Sequence, residues 1–382
     1  MPSPNIIIAT LMREHGDTGV QTYFNTFHHY LNSKNVRSNI ITPFSMSNAI
    51  TFPIFGFRKL IDPFNNELST WWYRYWHYLL LKQALRKELN KRDKADTLVF
   101  FAQCPLSAKA ALEIRTSEKQ KVIMTVHFNI SQADEWVDKG KITFDGSLYR
   151  QIKELESKVI SKLDRIVYVS KFMETTIEEN IPESCTIPST ILPPFINQPK
   201  CQEPGLIKCD LISIGTLEPR KNQSYILFAL AEAKKKGYRY SLTLVGEGQD
   251  RESLRKLAAS LDIEEQVTLA GFQPNASTLL HHHRVYVHSA LLENRPVAVI
   301  EALACSLPVI AAATGGVSEC FSNNVEGLYW SLNDPKDGAE KLIQLMESPT
   351  VYASMKEAAR KRFEDFFLQE AVASKLLDFL AG

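Results

Sequence analysis

The stretch RVYVHSALLENRPVAVIEALACSLPVIAAATGGVSE, residues 284–319, decides the fold. Its first run, RVYVH (284–288), is β-branched and aromatic and predicts a strand. A loop follows, then a helix over 296–305 in which Pro296 suits an early position, then a second strand within LPVIAAA (307–313) and a glycine-rich turn. Strand, helix and strand in that order form the βαβ unit of a parallel sheet. Two carboxylates stand in it, Glu293 in the loop and Glu301 inside the helix. Across a loop–helix junction one of them can meet a ligand at the helix mouth while the other reaches it from the helix side. The free amides at the helix start, 295–298, favour a phosphate beside them.

The same rhythm extends outward. Toward the N-terminus of this half, LISIG (211–215), YSLTLVG (240–246) and QVTLAG (266–271) predict strands, with helices over 222–236 and 249–261. Beyond 335 the chain reads as helices, the last (368–381) strongly amphipathic. The first half repeats the pattern with strands at 5–10, 36–41, 97–102, 121–126 and 164–169 and helices over 20–34, 69–92, 106–116, 146–163 and 171–180. Near-continuous apolar strands suit a parallel sheet buried on both faces. Between the halves, Pro182, Pro188, Pro193, Pro194, Pro199, Pro204 and Gly205 interrupt the rhythm and mark a crossover. The expected architecture is α/β: two Rossmann-like, doubly wound domains facing each other across a cleft. Their expected bounds are 1–195 and 196–365, with a terminal helix, 366–382, packing back on the first domain.

Composition narrows the function. The chain has 382 residues, 44 Lys+Arg against 43 Asp+Glu, and a formal net charge of +1, which excludes a protein built to bind nucleic acid through a broad basic face. Six cysteines at irregular spacings, without a C-x-x-C, read as reduced core residues of a cytoplasmic protein. No stretch reaches the ~18–20 apolar residues of a membrane span. MPSPNIIIATLMREH lacks a basic n-region and reads as a first strand, not a signal peptide.

The pair Glu293-x7-Glu301, followed by ALACSLPVIAAATGGVSE, resembles the signature of the family 4 glycosyltransferases, retaining enzymes of the GT-B fold. LISIGTLEPRKN (211–222), LTLVGEGQD (242–250), VTLAGF (267–272) and IVYVSKFMETTI (166–177) agree with that family in order and spacing. The resemblance implies that Glu301 holds the ribose of a nucleotide sugar and Glu293 the hydroxyls of the transferred sugar. It places Arg220 and Lys221 at the pyrophosphate, where fixed cations stabilise the charge that grows on the leaving group. Arg295, Pro296, Val297 and Ala298 would line the donor at the helix start, with Thr216 and Gly246 on the neighbouring loops. HGDTGVQTYF (15–24) resembles the family's glycine loop, Gly19 matching best and Gly16 displaced; a plain strand–helix turn is the competing reading. His127, after the strand 121–126, stands where the family often has a histidine beside the donor sugar.

Departures from the family pattern bear on the donor. Thr216 replaces a common arginine, and Glu293-Asn294-Arg295 replaces E-G-F, so Arg295 adds a charge to the expected donor pocket. The implied reaction needs no metal and no cofactor beyond the nucleotide-sugar substrate; HHHR (281–284) accordingly reads as a solvated helix end. The acceptor would be a glycan or lipid-linked saccharide, as in cell-surface polysaccharide synthesis. From Trp71 to Arg92 six basic residues face one acid, Glu88, behind a crowd of aromatics. This segment, 69–92, reads either as a basic amphipathic helix on the inner face of an anionic membrane or as a helix of the core or acceptor pocket. A catalytically silent GT-B scaffold and a GT-B nucleotide-sugar epimerase are the alternatives. GEG (246–248) is only a fragment of a dinucleotide fingerprint, which disfavours a dehydrogenase.

Overall fold

The computed structural model describes residues 5–16, 18–92, 97–197 and 209–382. Pro199, Cys201, Pro204 and Gly205 of the crossover lie outside the described residues. The chain divides into two compact units, Met1–Pro193 with Gln369–Gly382, and Pro194–Leu368.

The first unit is built on strands β1 (Asn5–Ala9), β2 (Ser38–Ile41), β3 (Leu98–Ala102), β4 (Gln120–Val126), β5 (Arg165–Tyr168) and β6 (Ser189–Ile191). All pair in parallel, in the order β2-β1-β3-β4-β5-β6. Its helices are α1 (Gly19–Ser33), α2 (Asn48–Ile61), α3 (Asn66–Leu89), α4 (Pro105–Ile114), α5 (Gln132–Asp138), α6 (Ser147–Ile160) and α7 (Lys171–Asn180). Ile6, Ile7 and Ile8 of β1 and Phe100 and Phe101 of β3 are wholly buried, as strands covered on both faces must be. Phe24, Phe27 and Leu31 form the inward stripe of α1; burying each contributes about 1.5–3 kcal/mol.

The second unit carries β7 (Cys209–Ile214), α8 (Gln223–Lys235), β8 (Leu242–Val245), α9 (Arg251–Ser260), β9 (Val267–Gly271), β10 (His283–His288), α10 (Val297–Ala304), β11 (Val309–Ala311) and β12 (Gly327–Tyr329). The helices α11 (Pro335–Met346) and α12 (Pro349–Phe366) complete it. Its parallel strands run β12-β11-β10-β7-β8-β9. Counted within the unit this is the order 6-5-4-1-2-3, a doubly wound Rossmann sheet whose order reverses between β7 and β10. The register pairs Tyr286 with Ile212, so the two strands end side by side and their following loops emerge together.

The last helix, α13 (Gln369–Ala381), belongs to the first unit. Gln369 donates to the Thr26 carbonyl at 3.0 Å, Lys34 pairs with Glu370 at 2.7 Å, and Arg165 donates to the Phe379 carbonyl.

Three sequence expectations need correction. The stretch 69–92 is not amphipathic in the simple sense: α3 buries Arg74 on the same side as His77, Leu81 and Leu85, and Arg92 just beyond it is buried against Glu88 at 3.2 Å. Lys82 is tied to Glu113, so the surface charge of this helix is much smaller than its composition suggests. HHHR is a helix end only in its first half: His281 and His282 close a 3₁₀ turn, Ala276–His282, and are half-buried. His283 opens β10, is buried, donates from Nδ1 to the Leu279 carbonyl at 2.8 Å and accepts at Nε2 from the Thr243 hydroxyl at 2.9 Å. Pro296 is the residue before α10, in an extended conformation, rather than inside the helix. The helices α2 and α5 and the three-residue strands β6 and β12 were not legible in the chain.

Candidate active site

The loop after β7 turns through Gly215, Thr216 and Leu217 into a short 3₁₀ turn, Pro219–Lys221. Asn222, in the left-handed region at φ 52°, then starts α8. The turn delivers Arg220 and Lys221 to the end of β10. There Arg220 donates to Glu293 at 2.7 Å and to the Leu292 carbonyl at 3.1 Å, and Lys221 pairs with the same Glu293 oxygen, Oε1. A second carboxylate, Glu218, takes the other arm of Arg220 at 2.8 Å. Backbone bonds sew the loops together: Leu291 N–H to the Arg220 carbonyl at 2.9 Å, and the Ser289 hydroxyl to the Lys221 carbonyl at 2.9 Å.

Electrostatics follow from this packing. Burial alone would push the Glu293 carboxyl up, but the Lys221 ammonium and the Arg220 guanidinium hold it down at about 2. It is therefore ionised throughout the physiological range. Its Oε2 takes no hydrogen bond among the described residues. His288, at the end of β10, is driven down to about 4 by burial and then by Lys221, so its ring is neutral. Glu301 contrasts with Glu293. It is half-buried in α10, its carboxyl has no hydrogen-bond partner among the described residues, and desolvation raises it to about 7. Both carboxylates lie within electrostatic reach of the buried Tyr286 hydroxyl.

Glycines set the spacing of these loops. Gly246 has φ 142°, and a Cβ there would overlap the Gly215 carbonyl oxygen. Gly315, at φ 54°, is pressed against the Glu293 carbonyl, which accepts the Gly316 N–H at 2.9 Å. Thus the G-G turn clamps the loop that carries Glu293, and Gly246 lets the loop after β8 cross that after β7.

The remaining expected donor residues fall out as follows. The Thr216 carbonyl accepts from Gln223 at 2.9 Å and its side chain is exposed. Val297 and Ala298 are half-buried, and their amides lie in the first turn of α10, where the helix offers no carbonyl partner. Arg295 does not stand as a free cation. It donates to the Glu319 carbonyl at 2.9 Å, faces the Glu319 carboxylate at 3.6 Å and covers the Phe367 ring. Glu218 and Ser289 were not among the expected residues; the sequence marks Glu218 only as an acid two residues before Arg220.

The first unit has a second constellation, at its own order reversal between β1 and β3. His127, after β4, is half-buried and held low, at about 3, by desolvation. Gln103, after β3, donates its amide to the Phe101 carbonyl at 3.3 Å, which turns its oxygen toward His127; the imidazole donates from Nε2 at 3.0 Å. Nδ1 is left as a lone-pair acceptor, and Tyr23 packs edge-on against the ring at 4.9 Å. The glycine loop after β1 caps itself. Thr18 and Gln21 form a reciprocal cap on α1, worth about 1 kcal/mol, and the Gln21 amide also holds the Arg13 and His15 carbonyls. Gly16 packs against that Gln21 side chain, and Gly19 is the exposed first residue of the helix.

No group of three or more metal-ligating side chains occurs among the described residues, and no described helix is long and apolar enough to cross a membrane.

Residues 207–362 match the family model described as glycosyl transferases group 1, and residues 18–197 match the one described as glycosyltransferase family 4. The chain belongs to the GT-B glycosyltransferases. An uncharacterized glycosyltransferase of Haemophilus influenzae is 26% identical to it over 218 residues, covering 56% of this chain and 60% of the relative. The amylovoran biosynthesis glycosyltransferase AmsK of Erwinia amylovora is 26% identical over 178 residues, 44% of each chain. This glycosyltransferase therefore spans about half the length of the curated relatives it matches. HepE of Anabaena, solved in complex with UDP-glucose, superposes with a TM-score of 0.71 over 98% of this chain and 99% of its own, at 13% identity, which supports the shared fold.

Proposed function

We propose that this GT-B glycosyltransferase moves a sugar, with retention of configuration, from a nucleoside diphosphate onto a saccharide or lipid-linked saccharide in cell-surface polysaccharide synthesis. The observation that carries the reading is the meeting of Arg220, Lys221 and Glu293 at the order reversal of the second sheet, beside the open first turn of α10 and the unpartnered Glu301 carboxyl. Ligands of doubly wound sheets bind at that place. In this reading the second unit holds the donor and the first the acceptor. The diphosphate lies against Arg220, Lys221 and the amides of Val297 and Ala298, the ribose hydroxyls donate to Glu301, and a sugar hydroxyl donates to Glu293 Oε2. His127 Nδ1 accepts from a substrate hydroxyl. The bond from the sugar's anomeric carbon to phosphate breaks as the acceptor oxygen bonds that carbon, and the acceptor proton passes to the leaving phosphate oxygen. Arg220 and Lys221 stabilise the charge left there, with no metal or further cofactor in the scheme. The AmsK likeness supports a polysaccharide setting, and the HepE complex supports a uridine nucleotide. The enzyme would work in the cytoplasm, at the inner face of the membrane.

A thermal-shift panel of UDP, GDP, ADP, CDP and TDP tests the reading. A nucleotide at about 100 times its Kd stabilises the protein by about 2.7 kcal/mol. Silence across the panel would favour a catalytically silent scaffold.

Glu301 yields a sharper outcome. Removing its hydrogen bonds to ribose in Glu301→Ala is expected to weaken nucleotide binding by about 1.5–3 kcal/mol, roughly ten- to a hundredfold by isothermal titration calorimetry. Because ribose hydroxyls favour the ionised carboxyl, binding should also strengthen as pH rises toward and through about 7, where Glu301 loses its proton. Below that value the affinity falls by up to about tenfold per unit. A wild-type profile as flat as that of Glu301→Gln would separate Glu301 from the nucleotide.

A further inference from the structure

The first unit carries an apolar surface that its own core leaves uncovered. α2, NAITFPIFGFRKLI, buries only Thr51. Eight of the fifteen exposed large hydrophobic side chains among the described residues fall between Ile50 and Tyr75, and Phe52 and Phe64 are 79% and 89% exposed. The helix is nonetheless held in place. Trp72 of α3 donates to the Ile54 carbonyl at 2.9 Å and packs on Phe57 at 4.8 Å, while Phe55 lies on His77 at 4.5 Å. One edge of α2 is thus fastened to α3, and the other is an apolar plate that continues through Phe64 to Trp71.

The exposed charges of the hairpin itself are of one sign, while the loop bonded to its turn mixes Asp138 and Asp145 with Lys139. On the hairpin α2–α3 the exposed charged side chains are Lys59, Arg86 and Lys87. Its carboxylates are each engaged: Asp62 with Ser69 and Lys141, Glu67 with the Thr143 amide, and the buried Glu88 with Asn39 and Arg92. A bare apolar helix bordered by cations complements a surface that is anionic at its face and apolar beneath it. It is a poorer match for a second copy of itself, whose plate would carry the same positive rim.

We propose that the α2–α3 hairpin docks this protein on an anionic bilayer, with Phe52, Leu60 and Phe64 entering the acyl boundary and Lys59, Arg86 and Lys87 meeting lipid phosphate. This deepens the peripheral placement proposed above and moves its centre from the basic stretch 69–92 to α2 and the turn that follows it. Aromatic and aliphatic burial supplies the anchoring, and the cations supply the preference for acidic headgroups.

Co-sedimentation of the full chain with phosphatidylcholine vesicles, with and without about one third phosphatidylglycerol, tests it. The protein is expected to sediment with the anionic vesicles. Phe52→Ser/Phe64→Ser, which alters no core contact, should lose at least about tenfold in partitioning at an unchanged melting temperature. Arg86→Gln/Lys87→Gln should lose about twenty- to thirtyfold, a deficit that high salt removes. Equal sedimentation of wild type and both variants, or none by the wild type, overturns the proposal. A concentration-dependent dimer in solution that the Phe pair abolishes overturns it too, and makes a second copy the occupant. Nucleotide binding by the same variants reads the donor site separately, so failure of the membrane contact and failure of the donor reading are told apart.

Discussion

Replacing Lys221 by Ala is expected to slow sugar transfer by about a hundred- to a thousandfold, the range seen when one fixed donor to a developing anion is removed. The geometry makes this loss hard to compensate. Arg220 already divides its guanidinium between Glu293, Glu218 and the Leu292 carbonyl, so it has little freedom to move into the vacated position. Four charges meet here, two of each sign, and losing Lys221 leaves the site net negative before a diphosphate arrives. Lys221→Arg should recover only part of the rate, because a planar fork does not replace a compact ammonium. Initial rates with the donor chosen from the nucleotide panel measure the effect, and a rate within about threefold of wild type would remove Lys221 from the reaction.

The same variant carries a stability signature. The folded Glu293 carboxyl titrates at about 2, below its ordinary value of 4.5. A depressed acid contributes stability that is present above the ordinary value and is lost as pH falls from about 4.5 through about 2. Without Lys221 the folded carboxyl titrates higher, so this contribution should shrink and its loss should be complete at a higher pH, which melting curves at a series of acid pH values would show.

Gly246→Ala is expected to destabilise the second unit by about 3 kcal/mol or more. Two causes add. The backbone stands at φ 142°, a region L-residues rarely adopt, and the new methyl would overlap the Gly215 carbonyl oxygen. Neither neighbour can yield cheaply, for Gly215 N–H is bonded to the Val245 carbonyl and Gly246 N–H to the Gly271 carbonyl, each at 2.9 Å. At about 2–4 °C per kcal/mol for a domain of this size, the melting temperature should fall by roughly 6–12 °C. Nucleotide binding should weaken as well, since separating the loops after β7 and β8 displaces Arg220 and Lys221. A melting point within about a degree of wild type would show that the two loops are not locked together.

Much of the fold was legible because its signals are local. The isoleucines of β1 and the FFA of β3 announce strands buried on both faces. The order of Glu293, Pro296, Glu301 and the glycine pair announces loop, helix and turn. α2 escaped because the cue for a helix is one apolar face and one polar face, whereas α2 is apolar nearly all round with Pro53 and Gly56 inside it. β6 and β12 are three residues long, too short for any periodicity to show. The stretch 69–92 left a membrane face and the core both open because nothing local says that Arg74 and Arg92 turn inward to Gln132 and Glu88.

By itself the sequence determined the alternation of strands and helices, the two α/β units and the identity of the acids and bases available to a site, all of which depend on residues within a few turns of one another. Only the tertiary structure decided what those groups are. Glu293 is a permanent anion because folding brings Arg220 and Lys221 to it from 73 and 72 positions away, while Glu301, eight residues along the same segment, finds no partner among the described residues and is raised by burial to about 7. The two carboxylates differ because charge state is set by desolvation and by neighbours in space, and neither is written in the spacing of the chain.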